Sequence, residues 1–261
     1  MKKATKRQIC IIITFLCAAL LCVYELFNIK TYLGIDASYT VGYLTDMTIT
    51  RALAGIAFFA MLTVLGFKVL NPIKKPFWSS VLFCLPPLAL CINNMPIIPL
   101  LSGKAILDAP IWRFILLAFE CLAIGLFEEM AFRGVVFLSI VEKKGDTKRG
   151  LFWSIVVSSL IFGAVHLLNM FTSSPTAVLM QIGYSALIGA MCSVVLLKTK
   201  NIWLCVALHA IYDFCGQLVE YCGRGVIWDT PTVVLTAIVA LAVAIYMIYQ
   251  FIKLPKFSFE K

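Results

Sequence analysis

Charge is scarce in this sequence. Acidic and basic residues make up 13% of its 261 positions, hydrophobic residues 62%, and the mean hydropathy is +0.97. Soluble domains carry about a quarter charged residues, so the composition excludes an ordinary soluble fold and points to a polytopic membrane protein. Long polar stretches are missing too: connections between apolar runs reach only about twenty residues, with no room for a soluble domain. There is no internal repeat and no low-complexity tract. Cysteines are not scarce, but none of the ten stands in a Cys-x-x-Cys pair. Most, such as Cys17, Cys84, Cys121, Cys192 and Cys205, fall inside apolar spans, as small buried residues rather than a disulfide framework. The net charge of +9 comes from residues scattered between spans, not from a continuous basic stripe, which excludes a nucleic-acid surface. No small-residue cleavage site follows the basic start Met1 to Arg7 and the apolar run Ile11 to Val23, so this stretch reads as an uncleaved first span.

What is present is a series of apolar runs long enough to cross about 30 Å of hydrocarbon. They predict eight membrane helices, near 8–28, 50–70, 77–95, 111–141, 150–170, 176–197, 202–221 and 232–252, and so an all-α polytopic fold in a single membrane domain. The fourth run is overlong, and Arg113 and Glu120, seven apart and on one face, suit an outer interfacial part. Asn71-Pro72 is expected to close the second span, Pro86-Pro87 to kink or break the third, and Asn93-Asn94-Met95-Pro96 to end it. Eight spans leave both termini on one side. That side receives sixteen basic residues: Lys2, Lys3, Lys6, Arg7, Lys68, Lys74, Lys75, Lys143, Lys144, Lys148, Arg149, Lys198, Lys200, Lys253, Lys256 and Lys261. The other receives Lys30, Lys104 and Arg224. The bias predicts a multi-pass protein of the plasma membrane with both termini cytoplasmic.

Against this apolar background the ionisable residues inside spans stand out, since each costs a few kcal/mol at the bilayer centre. Glu128, Glu129 and Arg133 fall within six positions of the fourth span. On a helix Glu129 and Arg133 are four apart and can pair, whereas Glu128 is turned about 100° away and left free. A purely structural pair, fastening one helix to its neighbours, accounts for Glu129 and Arg133 but not for Glu128. The chain has only two histidines: His166 ends Phe162-Gly163-Ala164-Val165-His166 on the fifth span, and His209 begins His209-Ala210-Ile211-Tyr212-Asp213 on the seventh, with Asp213 one turn further on the same face. Counted inward at 1.5 Å per residue from the nearest cytoplasmic charge, Glu128, His166, His209 and Asp213 lie about 14 to 25 Å deep. They are level enough to form one site. A carboxylate beside an imidazole is the minimum apparatus for activating water: the acid takes the proton and the imidazole fixes the water. Hydrolysis is the natural chemistry.

In order on successive helices, Glu-Glu-x-x-x-Arg, Phe-x-x-x-His and His-x-x-x-Asn/Asp resemble the motifs of the CAAX protease and bacteriocin-processing family of intramembrane endopeptidases, often called the Abi family. The resemblance covers roughly residues 110–220, the catalytic core it implies; residues 1–109 contribute additional N-terminal helices. It implies an all-helical fold around a water-filled cavity, Glu128 as general base, His166 orienting the water, His209 and Asp213 at the oxyanion, and Glu129 and Arg133 in support. Asp213 stands where the third motif often ends in Asn, and an ionised carboxylate cannot donate to an oxyanion. That role needs Asp213 protonated, or acting through His209.

Two points stay open at this level. Two imidazoles and a carboxylate also make a catalytic zinc set, here His166 and His209 with Glu128, Glu129 or Asp213. There is no His-Glu-x-x-His to decide the matter, and water activation without an obligatory metal is the expectation, with Zn(2+) as the alternative. A proton-coupled carrier using the same buried residues is the alternative function, but no two halves show the matching interrupted helices it calls for. The substrate expected is a peptide or membrane-anchored protein, not nucleic acid; its identity and the oligomeric state do not follow from the sequence. Asn169 reads equally as support for the site or as a helix cap, Gln181, Tyr184 and Ser185 as lining or helix contacts, and Trp78, Trp112, Trp203 and Trp228 as interfacial anchors.

Overall fold

The computed structural model describes residues 3–26, 40–67, 77–171 and 173–254. Helices α1 (Lys3–Leu26), α2 (Thr40–Leu65) and α3 (Phe77–Asn93) are followed by a short α4 (Ile97–Leu101) and strand β1 (Ala105–Leu107). Helix α5 (Ile111–Glu128) runs without interruption through a π-helical segment (Glu129–Phe137) into α6 (Leu138–Lys144). Helix α7 (Lys148–Val165) ends in a 3-10 segment (His166–Phe171), and α8 (Pro175–Thr199), α9 (Ile202–Cys222), strand β2 (Gly223–Gly225) and α10 (Thr230–Ile252) complete the chain. The expected closure of the second span at Asn71-Pro72 and the basic residues Lys2, Lys30, Lys68, Lys74, Lys75, Lys256 and Lys261 lie outside the described residues.

The ends of these elements follow from local chemistry. Side-chain oxygens of Thr147, Ser174, Asn201 and Asp229 accept backbone N–H groups in the first turns of α7, α8, α9 and α10, and α8 and α10 carry proline in the first turn, where its missing N–H costs nothing. Helix α3 ends at Asn93 as the sequence suggests, yet continues through Pro86 and Pro87 without breaking.

Among the described residues, five helices are long and apolar enough to cross a membrane: Thr40–Leu65, Lys148–Phe171, Pro175–Thr199, Ile202–Cys222 and Thr230–Ile252. Gln8–Cys17 and Phe77–Asn93 are shorter apolar helices, and the helix bearing the Glu-Glu motif is not among the five. Large apolar side chains cover the outer faces; on α10, Val233, Val234, Ile238, Leu241, Ile245 and Ile248 are all exposed, as lipid-facing residues are.

The fold is all-α apart from one short ribbon. Strands β1 and β2 pair antiparallel, with Ala105 opposite Gly225, Ile106 opposite Arg224 and Leu107 opposite Gly223. A search for long apolar runs cannot see three-residue strands that meet only because α5 begins and α9 ends at the same end of the molecule. Ion pairs Lys104–Asp229 at 2.9 Å and Arg224–Asp108 at 3.3 Å staple this ribbon. The opposite end gathers Lys143, Lys144, Lys148, Arg149, Lys198, Lys200 and Lys253 at the termini of α6, α7, α8 and α10, where Lys148 Nζ donates to the Ile252 carbonyl.

The π segment is the centre of the molecule. Every side chain from Glu129 to Ser139 is buried, and the segment packs against α1, α2, α7, α8 and α9.

A candidate active site built around His209

The helix carrying Glu128 and Glu129 approaches α9 closely because Gly125 has no side chain. A Cβ there would stand 3.0 Å from the Val206 carbonyl oxygen and 3.2 Å from the Ala210 amide nitrogen, both rigid backbone atoms. That contact lies one turn before the two glutamates and brackets His209. Directly after it the helix widens: the amide of Leu138 donates to the carbonyl of Arg133, five residues back. Single π turns inside α-helices are frequent at functional sites, since they re-aim side chains.

His209 is the hub of what results. Its Nδ1 lies 2.7 Å from Glu129 Oε1, and the same oxygen lies 3.0 Å from Nη1 of Arg133. Its Nε2 lies 3.5 Å from Glu128 Oε2 and 3.4 Å from Asp213 Oδ2. Glu129 is fully buried, and Arg133 and His209 nearly so, whereas Glu128 and Asp213 keep about a fifth of their side-chain surface open (19% each). The inner carboxylate is fixed; the outer two remain reachable by water. Of the six residues expected at the site, five therefore meet directly.

His166 comes in differently. It stands where α7 tightens into the 3-10 segment, half-buried, with Nδ1 3.0 Å from the Phe162 carbonyl. The carbonyl can only accept, so Nδ1 carries the hydrogen and Nε2 is left as an acceptor in the neutral ring. The link between the two histidines is Phe162, whose ring stands nearly perpendicular to both, at 5.3 Å from His166 and 6.0 Å from His209. The Arg133 guanidinium lies over the same ring at 4.1 Å, which holds the arginine by a cation–π contact besides its ion pair. Sequence reasoning named Phe162 only as the start of a motif; its spacing of four from His166 placed the ring and the imidazole on one face.

Asn169 lies in the 3-10 segment after His166. Its Nδ2 donates to Gln181 Oε1 at 2.8 Å, tying the 3-10 segment to α8. Ser185 is buried, and Tyr184 packs on Tyr212 at 6.1 Å. Glu120, assigned from sequence to an outer interfacial face, is buried instead and accepts from the Cys121 thiol at 3.3 Å. The interfacial expectation treated the start of α5 as open to headgroups, whereas α2 and α9 cover that face.

For zinc at this edge, the donors would be His209 Nε2 with Glu128 Oε2 and Asp213 Oδ2, which lie 3.5 and 3.4 Å from it. Anchoring of His209 Nδ1 by Glu129 is the support a metal-ligating histidine usually has.

The segment that carries all three motifs is similar to a known family: residues 110–215 match the family model described as Type II CAAX prenyl endopeptidase Rce1-like. This is the family the motifs resemble. The chain matches no curated protein and no solved structure.

Proposed function

We propose that the chain is an intramembrane endopeptidase in which Glu128 activates a water for attack on a peptide carbonyl. The observation that carries this reading is the convergence of Glu128 and Asp213 on the Nε2 edge of a histidine whose other nitrogen is fixed by a buried carboxylate. Glu128 takes a proton from water as the hydroxyl oxygen bonds to the carbonyl carbon, then returns it to the amine as the C–N bond breaks. In its imidazolium form His209 donates from Nδ1 to Glu129 and from Nε2 to the developing oxyanion, joined by Asp213 when that carboxyl is protonated. His166, with Nδ1 committed to Phe162, offers Nε2 to orient the water. Glu129 and Arg133 position His209 and do not touch substrate. A divalent metal bound at Glu128, His209 and Asp213 would supply Lewis-acid polarisation of the same carbonyl.

The substrate class proposed is a membrane-anchored peptide whose scissile bond sits beside its lipid anchor, as the prenyl peptides named by the family are; a bacteriocin leader is the other class the motifs allow. The basic helix ends gathered opposite the ribbon are proposed to face the cytoplasm of the plasma membrane. The test is cleavage by protein reconstituted in vesicles. A farnesylated C-terminal peptide and its unmodified counterpart are offered, and products are read by mass spectrometry. Release of a C-terminal fragment that depends on Glu128 supports the reading. Failure to cut either peptide or a bacteriocin leader overturns it.

A further inference from the structure

Glu129 has one carboxylate oxygen that the site above does not use. Oε1 serves both His209 and Arg133, while Oε2 is fully buried without a hydrogen-bond partner. An unmatched acceptor of a buried carboxylate is costly and rare. Two thiols reach the same residue. Ligand atoms of Glu129, Cys192 on α8 and Cys205 on α9 all lie within 4.8 Å of one another, and all three residues are fully buried. Both cysteines are free, and Cys205 Sγ donates only a weak bond, 3.3 Å to the Cys192 carbonyl. Buried cysteines elsewhere in this core, such as Cys84 and Cys91, are explained as small apolar filling. That explanation is insufficient where two thiols converge on a carboxylate that has an orphaned oxygen.

We infer that Glu129, Cys192 and Cys205 form a buried site for a thiophilic divalent cation of the zinc class. With Zn–S near 2.3 Å and Zn–O near 2.1 Å, tetrahedral ligand atoms stand about 3.5 to 3.8 Å apart, so the three donors need close in by only about an ångström. Charge favours the same assignment. Two thiolates and Glu129 carry three negative charges, and Arg133 with a divalent cation carries three positive ones, so the loaded cluster is neutral inside a low-dielectric core. Arg133 is held beside the site because Gly189, one turn before Cys192, has no side chain; a Cβ there would stand 3.0 Å from Nη2. Loading releases the two thiol protons. Since Oε1 stays on His209, the cation would fix the far oxygen of the carboxylate that orients the hub histidine. Thiolate ligands separate this site from the harder set of Glu128, His209 and Asp213.

The experiment titrates full-length, metal-stripped protein in detergent with Co(2+) and reads its absorption. The expected result is one equivalent bound with a thiolate-to-cobalt charge-transfer band and tetrahedral visible bands, both lost on adding Zn(2+). Cys192→Ser and Cys205→Ser should each lower the charge-transfer band, because one thiolate remains, and weaken binding at least about tenfold; the double variant should abolish the band, while Cys84→Ser leaves it. Cobalt binding without a thiolate band, or a band of undiminished intensity in Cys205→Ser or one that survives in the double variant, overturns the assignment. Alkylation of the wild-type protein by N-ethylmaleimide, mapped by mass spectrometry, covers the case of a variant that does not fold. Protection of Cys192 and Cys205 but not Cys84 by Zn(2+) supports the site, and equal labelling with and without Zn(2+) overturns it. None of these readouts depends on peptide cleavage.

Discussion

Oε1 of Glu129 lies 2.7 Å from Nδ1 of His209, 80 positions further along the chain, and that single oxygen also takes the Arg133 guanidinium at 3.0 Å. One buried carboxylate thus couples the local ion pair of the π segment to the histidine of α9. It sets which edge of the imidazole faces Glu128 and Asp213.

Replacing Glu128 with Gln removes the proposed base and preserves shape. Turnover of the vesicle-borne peptide should fall about 10²- to 10⁴-fold, the usual worth of a general base, with unchanged folded yield by size-exclusion chromatography. Wild-type turnover in the variant would show that another group takes the proton.

Arg133→Ala strands Glu129 in the core, and breaking one partner of a buried pair costs about 3–5 kcal/mol. Thermal unfolding in detergent should shift down markedly, and adding Glu129→Gln should recover part of the loss because the stranded charge is gone. A melting temperature equal to wild type would mean that water reaches the pair.

Asp213→Asn tests the oxyanion role. The amide donates without needing protonation, so cleavage should be retained or improved. A large loss that added Zn(2+) restores and chelators deepen would instead make Asp213 a metal ligand.

Asn169→Ala frees the 3-10 segment from Gln181. It should lower kcat about tenfold with little change in KM, because His166 is displaced while substrate contacts elsewhere persist. Gln181→Ala should match it, and the double variant should add nothing further. Additive losses would separate the two residues.

At the ribbon, Asp229 accepts from Thr232 and from Lys104, and these bonds hold its carboxyl down to about 2, below the ordinary 3.8. A lowered value means stability that is fully present above pH 3.8 and lost as the pH falls through about 2. The melting temperature of Asp229→Asn should therefore lie below wild type at neutral pH and converge on it in acid. A gap that stays constant with pH would assign the effect to helix capping alone.

Much of this molecule was legible before any coordinates, because the signals are local. Apolar runs located the long helices. A spacing of four put Arg133 within reach of Glu129 and Asp213 within reach of His209, since i and i+4 share a face whatever surrounds the helix. Rarity of charge in apolar segments singled out Glu128, Glu129, Arg133, His166, His209 and Asp213.

What the tertiary structure alone decided is how those helices are turned toward each other. Hydropathy carries no rotational phase between distant helices; the contact at Gly125 and the π widening after Glu128 set it here. They gave His209 Nδ1 to Glu129 and left its Nε2 to Glu128 and Asp213. The bond from His166 to the Phe162 carbonyl, the two-stranded ribbon between residues 105 and 225, and the meeting of Cys192 and Cys205 with Glu129 have the same origin. Each joins groups whose separation along the chain bears no relation to their separation in space, so only packing could bring them together.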